Sequence, residues 1–131
     1  MIKALITTSF VFIACTQSNP RYEYIVKDDA FRKKIGKENF VKARHGFTYF
    51  ESQNISRDEI LVFIHGFSVP SYIWDETYFE AINRGLGVVR LDLYGRGFSS
   101  NPNIVYNDLL YAEQVIDLLD SLNLTKKVNF I

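Results

Sequence analysis

The chain is 131 residues long and balances 15 Lys and Arg against 15 Asp and Glu, so its zero formal charge excludes bulk electrostatic capture by nucleic acid or by an acidic membrane. A 47% hydrophobic and 15% aromatic content excludes disorder, and one cysteine excludes a disulfide framework, a zinc ribbon or a CxxC redox pair. The zero hides an asymmetry, since residues 1–50 hold 9 basic and 4 acidic groups and residues 51–131 hold 6 and 11.

The amino terminus reads as an export signal. Lys3 precedes an uncharged run over residues 4–13, and Ala14 puts a small residue before the sole cysteine, Cys15. That run is too short to cross a hydrocarbon core as a helix. Phe12-Ile13-Ala14-Cys15 resembles a bacterial lipoprotein signal, with Phe12 standing where that pattern favours Leu. The resemblance implies a signal peptide over residues 1–14, lipidation of Cys15, and an exported protein that is membrane-anchored, periplasmic or extracellular. The alternative is a buried apolar strand or helix with a core cysteine. Residues 15–39 are then expected to be a tether and a short helix, and residues 40–131 a partial domain.

Asp28 and Asp29 sit where acidic residues favour a helix start, and Phe31 and Ile35 are one turn apart, so a short helix ending near Gly36 is predicted. The basic run of Arg32, Lys33, Lys34, Lys37, Lys42 and Arg44 reads as a solvated face, with a lipid or partner contact as the alternative. Residues 40–44 and 47–52, on either side of His45-Gly46, suggest a hairpin. A polar loop over residues 54–59 leads to Ile60-Leu61-Val62-Phe63-Ile64, an unbroken apolar run of the kind found in a strand covered on both faces.

After His65-Gly66-Phe67 and a loop containing Pro70, a helix is predicted over residues 72–83. Ile73, Thr77, Phe79 and Ile82 form its expected inner face, and Gly85 and Gly87 stop it. Val88-Val89-Arg90-Leu91 reads as a second buried strand. A longer helix follows over residues 108–122, with Asn107 as N-cap and Leu109, Ala112, Val115, Ile116, Leu119 and Leu122 at helical spacing. Residues 127–131 begin another strand. Strand alternating with helix is the grammar of a doubly wound α/β sheet, in which ligands bind beyond the carboxyl ends of the strands.

Two glycine-bearing turns lie at those ends. The first is His65-Gly66-Phe67. The second, Asp92-Leu93-Tyr94-Gly95-Arg96-Gly97-Phe98-Ser99, lacks the third glycine and the distal acid of a dinucleotide site and the Gly-Lys-Ser/Thr of a P-loop. Together, over residues 40–131 and with Trp74 between them, these turns resemble the α/β-hydrolase fold, in the branch that holds esterases, epoxide hydrolases and haloalkane dehalogenases. The fold class implied is the N-terminal part of an α/β-hydrolase sheet, a leading hairpin followed by parallel strands with helices on both faces, incomplete.

Acyl transfer puts negative charge on a carbonyl oxygen, which preorganised backbone N–H groups stabilise. The resemblance implies that the Phe67 N–H is one such donor, with His65 and Gly66 shaping the turn and the Phe67 ring at the pocket mouth. His65 is expected to orient and not to act as the base. Asp92 is read as a carboxylate that organises the second loop with Gly95, Gly97 and Ser99, and Arg96 as a surface or pocket-rim group.

Gly66-Phe67-Ser68-Val69-Pro70 and Gly97-Phe98-Ser99-Ser100-Asn101 hold Gly-x-Ser, but neither completes the Gly-x-Ser-x-Gly elbow. The resemblance places that elbow directly after the strand at residues 127–131. No metal ligand set or cofactor is expected. The function expected is therefore the N-terminal portion of a hydrolase for ester-like or related small apolar substrates, inactive alone and binding substrate only in a complete form. A C-terminal half is an expected partner for the edge formed by Val128, Asn129, Phe130 and Ile131, and nucleic acid is not. The alternative is a non-enzymatic surface lipoprotein or interaction module that retains half of the fold.

Overall fold

A computed structural model describes residues 25–131. The expected signal peptide, Cys15 and most of the expected tether lie outside the described residues.

Five strands form one sheet in the order β1-β2-β4-β3-β5. Strands β1 (Phe40–Ala43) and β2 (Gly46–Gln53) make the leading hairpin, and β2 runs antiparallel to β4 (Gly87–Leu91). Strand β3 (Ile60–Ile64) lies between β4 and β5 (Val128–Phe130) and runs parallel to both. The runs at residues 60–64 and 88–91 are thus the central strands: β4 is buried on both faces, and β3 is buried except at Leu61 and Ile64, which are partly covered.

The two faces are sorted by alternation. On one, Ile60, Val62, Val89, Leu91 and Phe50 pack with Val115 and Leu118 of α3 (Asp108–Ser121). On the other, Phe63 and Val88 pack with Tyr78 and Ala81 of α2 (Asp75–Asn83). A 3-10 turn, Ser71–Trp74, leads into α2, and helix α1 (Asp29–Ile35) precedes the sheet. Asp28 caps α1 by accepting the Phe31 N–H, and Asn107 caps α3 by accepting the Leu110 N–H. Among the described residues no helix is long and apolar enough to cross a membrane.

Three local expectations are corrected. The hairpin loop is Arg44-His45, because Ala43 pairs with Gly46 and Gly46 already belongs to β2. Asp117 holds that loop, accepting the Arg44 N–H at 2.9 Å and its guanidinium. The inner face of α2 is Tyr78 and Ala81, with the expected Ile82 partly buried against the same cluster, while Ile73, Thr77 and Phe79 are exposed. The inner face of α3 is Leu110, Gln114, Val115 and Leu118, with the expected Leu119 and Leu122 partly buried against the same core. Leu109, Ala112 and Ile116 are exposed, and Ala112 and Ile116 line a groove of about 300 Å³ beside β5 with Ile64, Leu93 and Phe130. Helix α3 therefore carries two apolar stripes, one spent on the sheet and one bordering an open groove, and helical spacing alone merges them.

Candidate functional site

The carboxyl ends of β3 and β4 lie side by side, Ile64 paired with Leu91, so the two glycine-bearing turns emerge next to each other. His65 is 3% exposed and joins them: its Nε2 accepts the Leu93 N–H at 2.9 Å, and its Nδ1 lies 2.7 Å from the Gly66 carbonyl. Accepting at Nε2 requires the proton on Nδ1, which then donates to that carbonyl. Both ring nitrogens are thus committed to the backbone.

Phe67 projects beyond this clasp and is 86% exposed. Its carbonyl accepts from Arg96 Nε at 2.5 Å, and the Arg96 guanidinium lies 4.8 Å from the ring centroid, within cation–π range. Among the described residues the Phe67 N–H finds no acceptor. His65, Gly66, Phe67, Leu93, Arg96 and Tyr111 together line a hollow of about 230 Å³.

Asp92 is buried, and each of its oxygens is used. Oδ1 accepts the Ser71 N–H at 2.8 Å and the Ser71 hydroxyl at 2.7 Å, while Oδ2 accepts the Phe98 N–H at 2.8 Å. One carboxylate therefore ties the start of the segment after β3 to the end of the loop after β4. Gly95 and Gly97 turn that loop at φ +78° and +44°, in the left-handed region. Ser99 is fully buried, with Oγ donating to the Asp92 carbonyl at 2.6 Å and accepting the Tyr49 N–H at 2.8 Å, which joins the loop to β2.

Three participants carry no motif. Gln114 on α3 accepts the Tyr94 N–H and donates to Thr48 and to the Asp92 carbonyl, bracing the loop from the helix side. Ser71 supplies two of the three donors to Asp92. Lys27, within the stretch expected to be a tether, donates to the Ser99 carbonyl and to Asn101. Burial lowers the pKa of its ammonium against the opposing field of Asp92. The Phe31 ring, 5.9 Å from Phe98, completes this docked arm. The only sequence signal for the arm is a lysine beside an aromatic-bearing helix, and many solvated segments share it.

Chemically, the hollow offers a backbone N–H at a glycine turn, an apolar rim and an arginine. It offers no nucleophile–base pair: Ser99 is sealed in the core, His65 is clasped by backbone, and His45 Nε2 faces Glu113 at 3.2 Å on the far side of the hairpin loop. No group of three or more His, Cys, Asp or Glu among the described residues is placed to hold a metal ion.

A mixed sheet with helices on both faces and adjoining loops at the carboxyl ends of β3 and β4 places the chain in the α/β class. The family model described as alpha/beta hydrolase family matches residues 61–128, just over half of the chain, and the chain belongs to that family. Among solved structures it is similar to an esterase (EaEST) from Exiguobacterium antarcticum, at 20% identity and TM-score 0.64, over 70% of this chain and 34% of that one. It is also similar to Est816, described as an N-acyl homoserine lactone degrading enzyme, at 26% identity and TM-score 0.62 over the same shares. A third is the epoxide hydrolase VrEH1 from Vigna radiata, at 22% and 0.62, over 70% and 29%. The chain spans about a third of the length of these structures. No curated protein matches it.

Proposed function

We propose that this chain supplies the oxyanion-binding side of a hydrolase site for ester-like or related small apolar substrates, with the Phe67 N–H as one donor. The observation that carries the reading is the His65 clasp. By fixing residues 65 and 66 against Leu93, it holds the next N–H at the residue that lines the hollow, without a competing acceptor among the described residues. The polypeptide of 131 residues is itself inactive on this reading, since its described serines and histidines form no hydrogen-bonded pair. Incubating the full chain with short-chain aryl esters should give the buffer rate. Turnover that copurifies with the chain and disappears in Ser68→Ala or Ser99→Ala would overturn the proposal.

Export and anchoring through a lipid on Cys15 belong to the same proposal, supported by the Phe12-Ile13-Ala14-Cys15 pattern. Radiolabelled fatty acid entering the wild-type chain and not Cys15→Ser is the expected result in a bacterial host, and equal labelling of both overturns it.

One observation favours an interaction role as a second reading. Among the described residues strand β5 pairs only with β3, and the apolar groove of Ile64, Leu93, Tyr111, Ala112, Ile116 and Phe130 includes a residue of β5. A C-terminal half that adds a strand to β5 and lays an apolar helix in the groove satisfies both features. Coexpression with the carboxyl-terminal part of a related hydrolase should yield a stable complex, lost in Phe130→Asp.

A further inference from the structure

We propose that the loop face at the carboxyl ends of β3 and β4 is a lipid-docking surface, which sits on anionic membrane with the candidate site facing the bilayer. Phe67 and Tyr72 follow β3, Val105 and Leu109 follow β4, and all four are exposed, Phe67 by 86% and Val105 by 79%. The docked arm brings Ile25 and Val26, also exposed, to the same end, since Lys27 is bonded to Ser99 and Asn101. Part of this set is contiguous: Ile25, Phe31, Arg96 and Phe98 line one hollow, and Arg96 covers Phe67. Scattered apolar side chains on a surface need no explanation, whereas a contiguous set projecting from loops at one end does.

Two observations select a lipid surface as the occupant. The first is charge. Residues 25–50, which build the arm, α1 and the hairpin beside this face, carry 7 Lys and Arg against 3 Asp and Glu. Arg44 is neutralised by Asp117 and Glu113, but Lys33, Lys34, Lys37 and Lys42 are exposed and make no ion pair among the described residues. Basic groups flanking exposed aromatic and aliphatic side chains match an anionic headgroup layer over an acyl boundary. The second is the chain outside the described residues. It joins the domain at Ile25, within the apolar face, and not at the opposite end where β3 and β5 begin. This second argument rests on the Cys15 anchor: nine residues lie between Cys15 and Ile25, and the ten steps of chain span at most about 35 Å. An anchor so close, leaving from this face, presses this face to the bilayer.

The test holds the domain at a membrane whether or not Cys15 is lipidated. The full chain with Cys15→Ser and an amino-terminal hexahistidine is captured on vesicles bearing nickel-chelating lipid. It carries one polarity-sensitive fluorophore, either on Val105→Cys in the proposed face or on Thr125→Cys in the loop before β5. Both positions are exposed, so labelling leaves the core intact. On vesicles containing phosphatidylglycerol the emission at position 105 should shift to the blue and that at 125 should not. Adding Phe67→Ser should reduce the shift, as should replacing phosphatidylglycerol by phosphatidylcholine. No shift at 105, or equal shifts at both positions, overturns the proposal. So does a shift at 105 that appears without vesicles and grows with protein concentration, because a second copy then covers the face. Loss of fatty-acid labelling at Cys15 would remove the anchor and leave this readout unaffected.

Discussion

Asp92 and Gly97 are fitted to each other so closely that a Cβ on residue 97 would stand 1.9 Å from Asp92 Oδ2. The contact explains why the loop after β4 turns where it does. The carboxylate must reach the Phe98 N–H on one side and Ser71 on the other, and only a residue without a side chain lets the loop pass close enough.

Gly97→Ala should therefore destabilise the domain by about 2–3 kcal/mol, through displacement of a buried carboxylate from its donors. Gly85 separates the steric term from the backbone one: it too has positive φ, at +79°, but a Cβ there meets nothing within 4 Å. Gly85→Ala should cost only the left-handed backbone penalty, about 1 kcal/mol. Urea unfolding followed by circular dichroism ranks the two, and a Gly97→Ala midpoint equal to or above that of Gly85→Ala contradicts the steric account.

Gln114→Leu should cost about 2–4 kcal/mol although it makes α3 more apolar. The substitution leaves the buried Tyr94 N–H without its acceptor and removes donors from Thr48 and the Asp92 carbonyl. Ile116→Gln, on the exposed stripe of the same helix, should change stability by less than about 0.5 kcal/mol in the isolated chain. Thermal melts of the two variants decide between this assignment of faces and the one that helical spacing suggests.

That contrast shows what the sequence could and could not say. The central strands, the helix start at Asp28-Asp29, the N-cap at Asn107 and the order of elements were legible, because each depends on residues adjacent in sequence. The inner faces of α2 and α3 were legible only in part: Ile82, Val115, Leu119 and Leu122 pack inward as expected, and the remaining positions do not. A buried Gln114 reads as surface until its partners at Thr48, Asp92 and Tyr94 are in view, and an exposed Phe79 or Ile116 reads as core. At the candidate site, the turns themselves were visible as Gly-containing motifs. The Arg96 bond to the Phe67 carbonyl and the docking of Lys27 on Ser99 were not, since they span 29 and 72 positions of chain with no periodicity to mark them.

Asn107→Ala should destabilise the domain by about 1 kcal/mol by leaving the Leu110 N–H without its acceptor at the first turn of α3, and Asn107→Asp should restore it. Amide exchange across the first turn supplies a local check: faster exchange at Leu110 in Asn107→Ala and near wild-type exchange in Asn107→Asp are expected.

Alkaline pH should destabilise the fold through its buried phenols. Tyr78 is 2% exposed, and burial is the main cause that pushes its pKa up to about 12, with the Glu51 carboxylate adding to it and Arg90 opposing it. Tyr49 is also raised, first by burial and then by its hydrogen bond to Glu51. A group whose folded pKa exceeds its unfolded value of about 10 holds its proton more tightly when folded. Its stabilising contribution is complete below pH 10 and is lost as pH rises from there towards the folded value. Lys27 acts in the opposite sense: its folded pKa is lowered, so the unfolded chain holds more protons and stability rises with pH below its ordinary value of 10.5. The net expectation is a melting temperature that falls steeply only above pH 10. Tyr78→Phe, which keeps the ring under Arg90 but cannot ionise, should flatten that fall, and Lys27→Met should remove the gain below it. Melting curves from pH 8 to 12, with phenolate absorbance at 295 nm recording when the tyrosines ionise, test both signs. A wild-type fall that Tyr78→Phe leaves unchanged assigns the alkaline loss to another group.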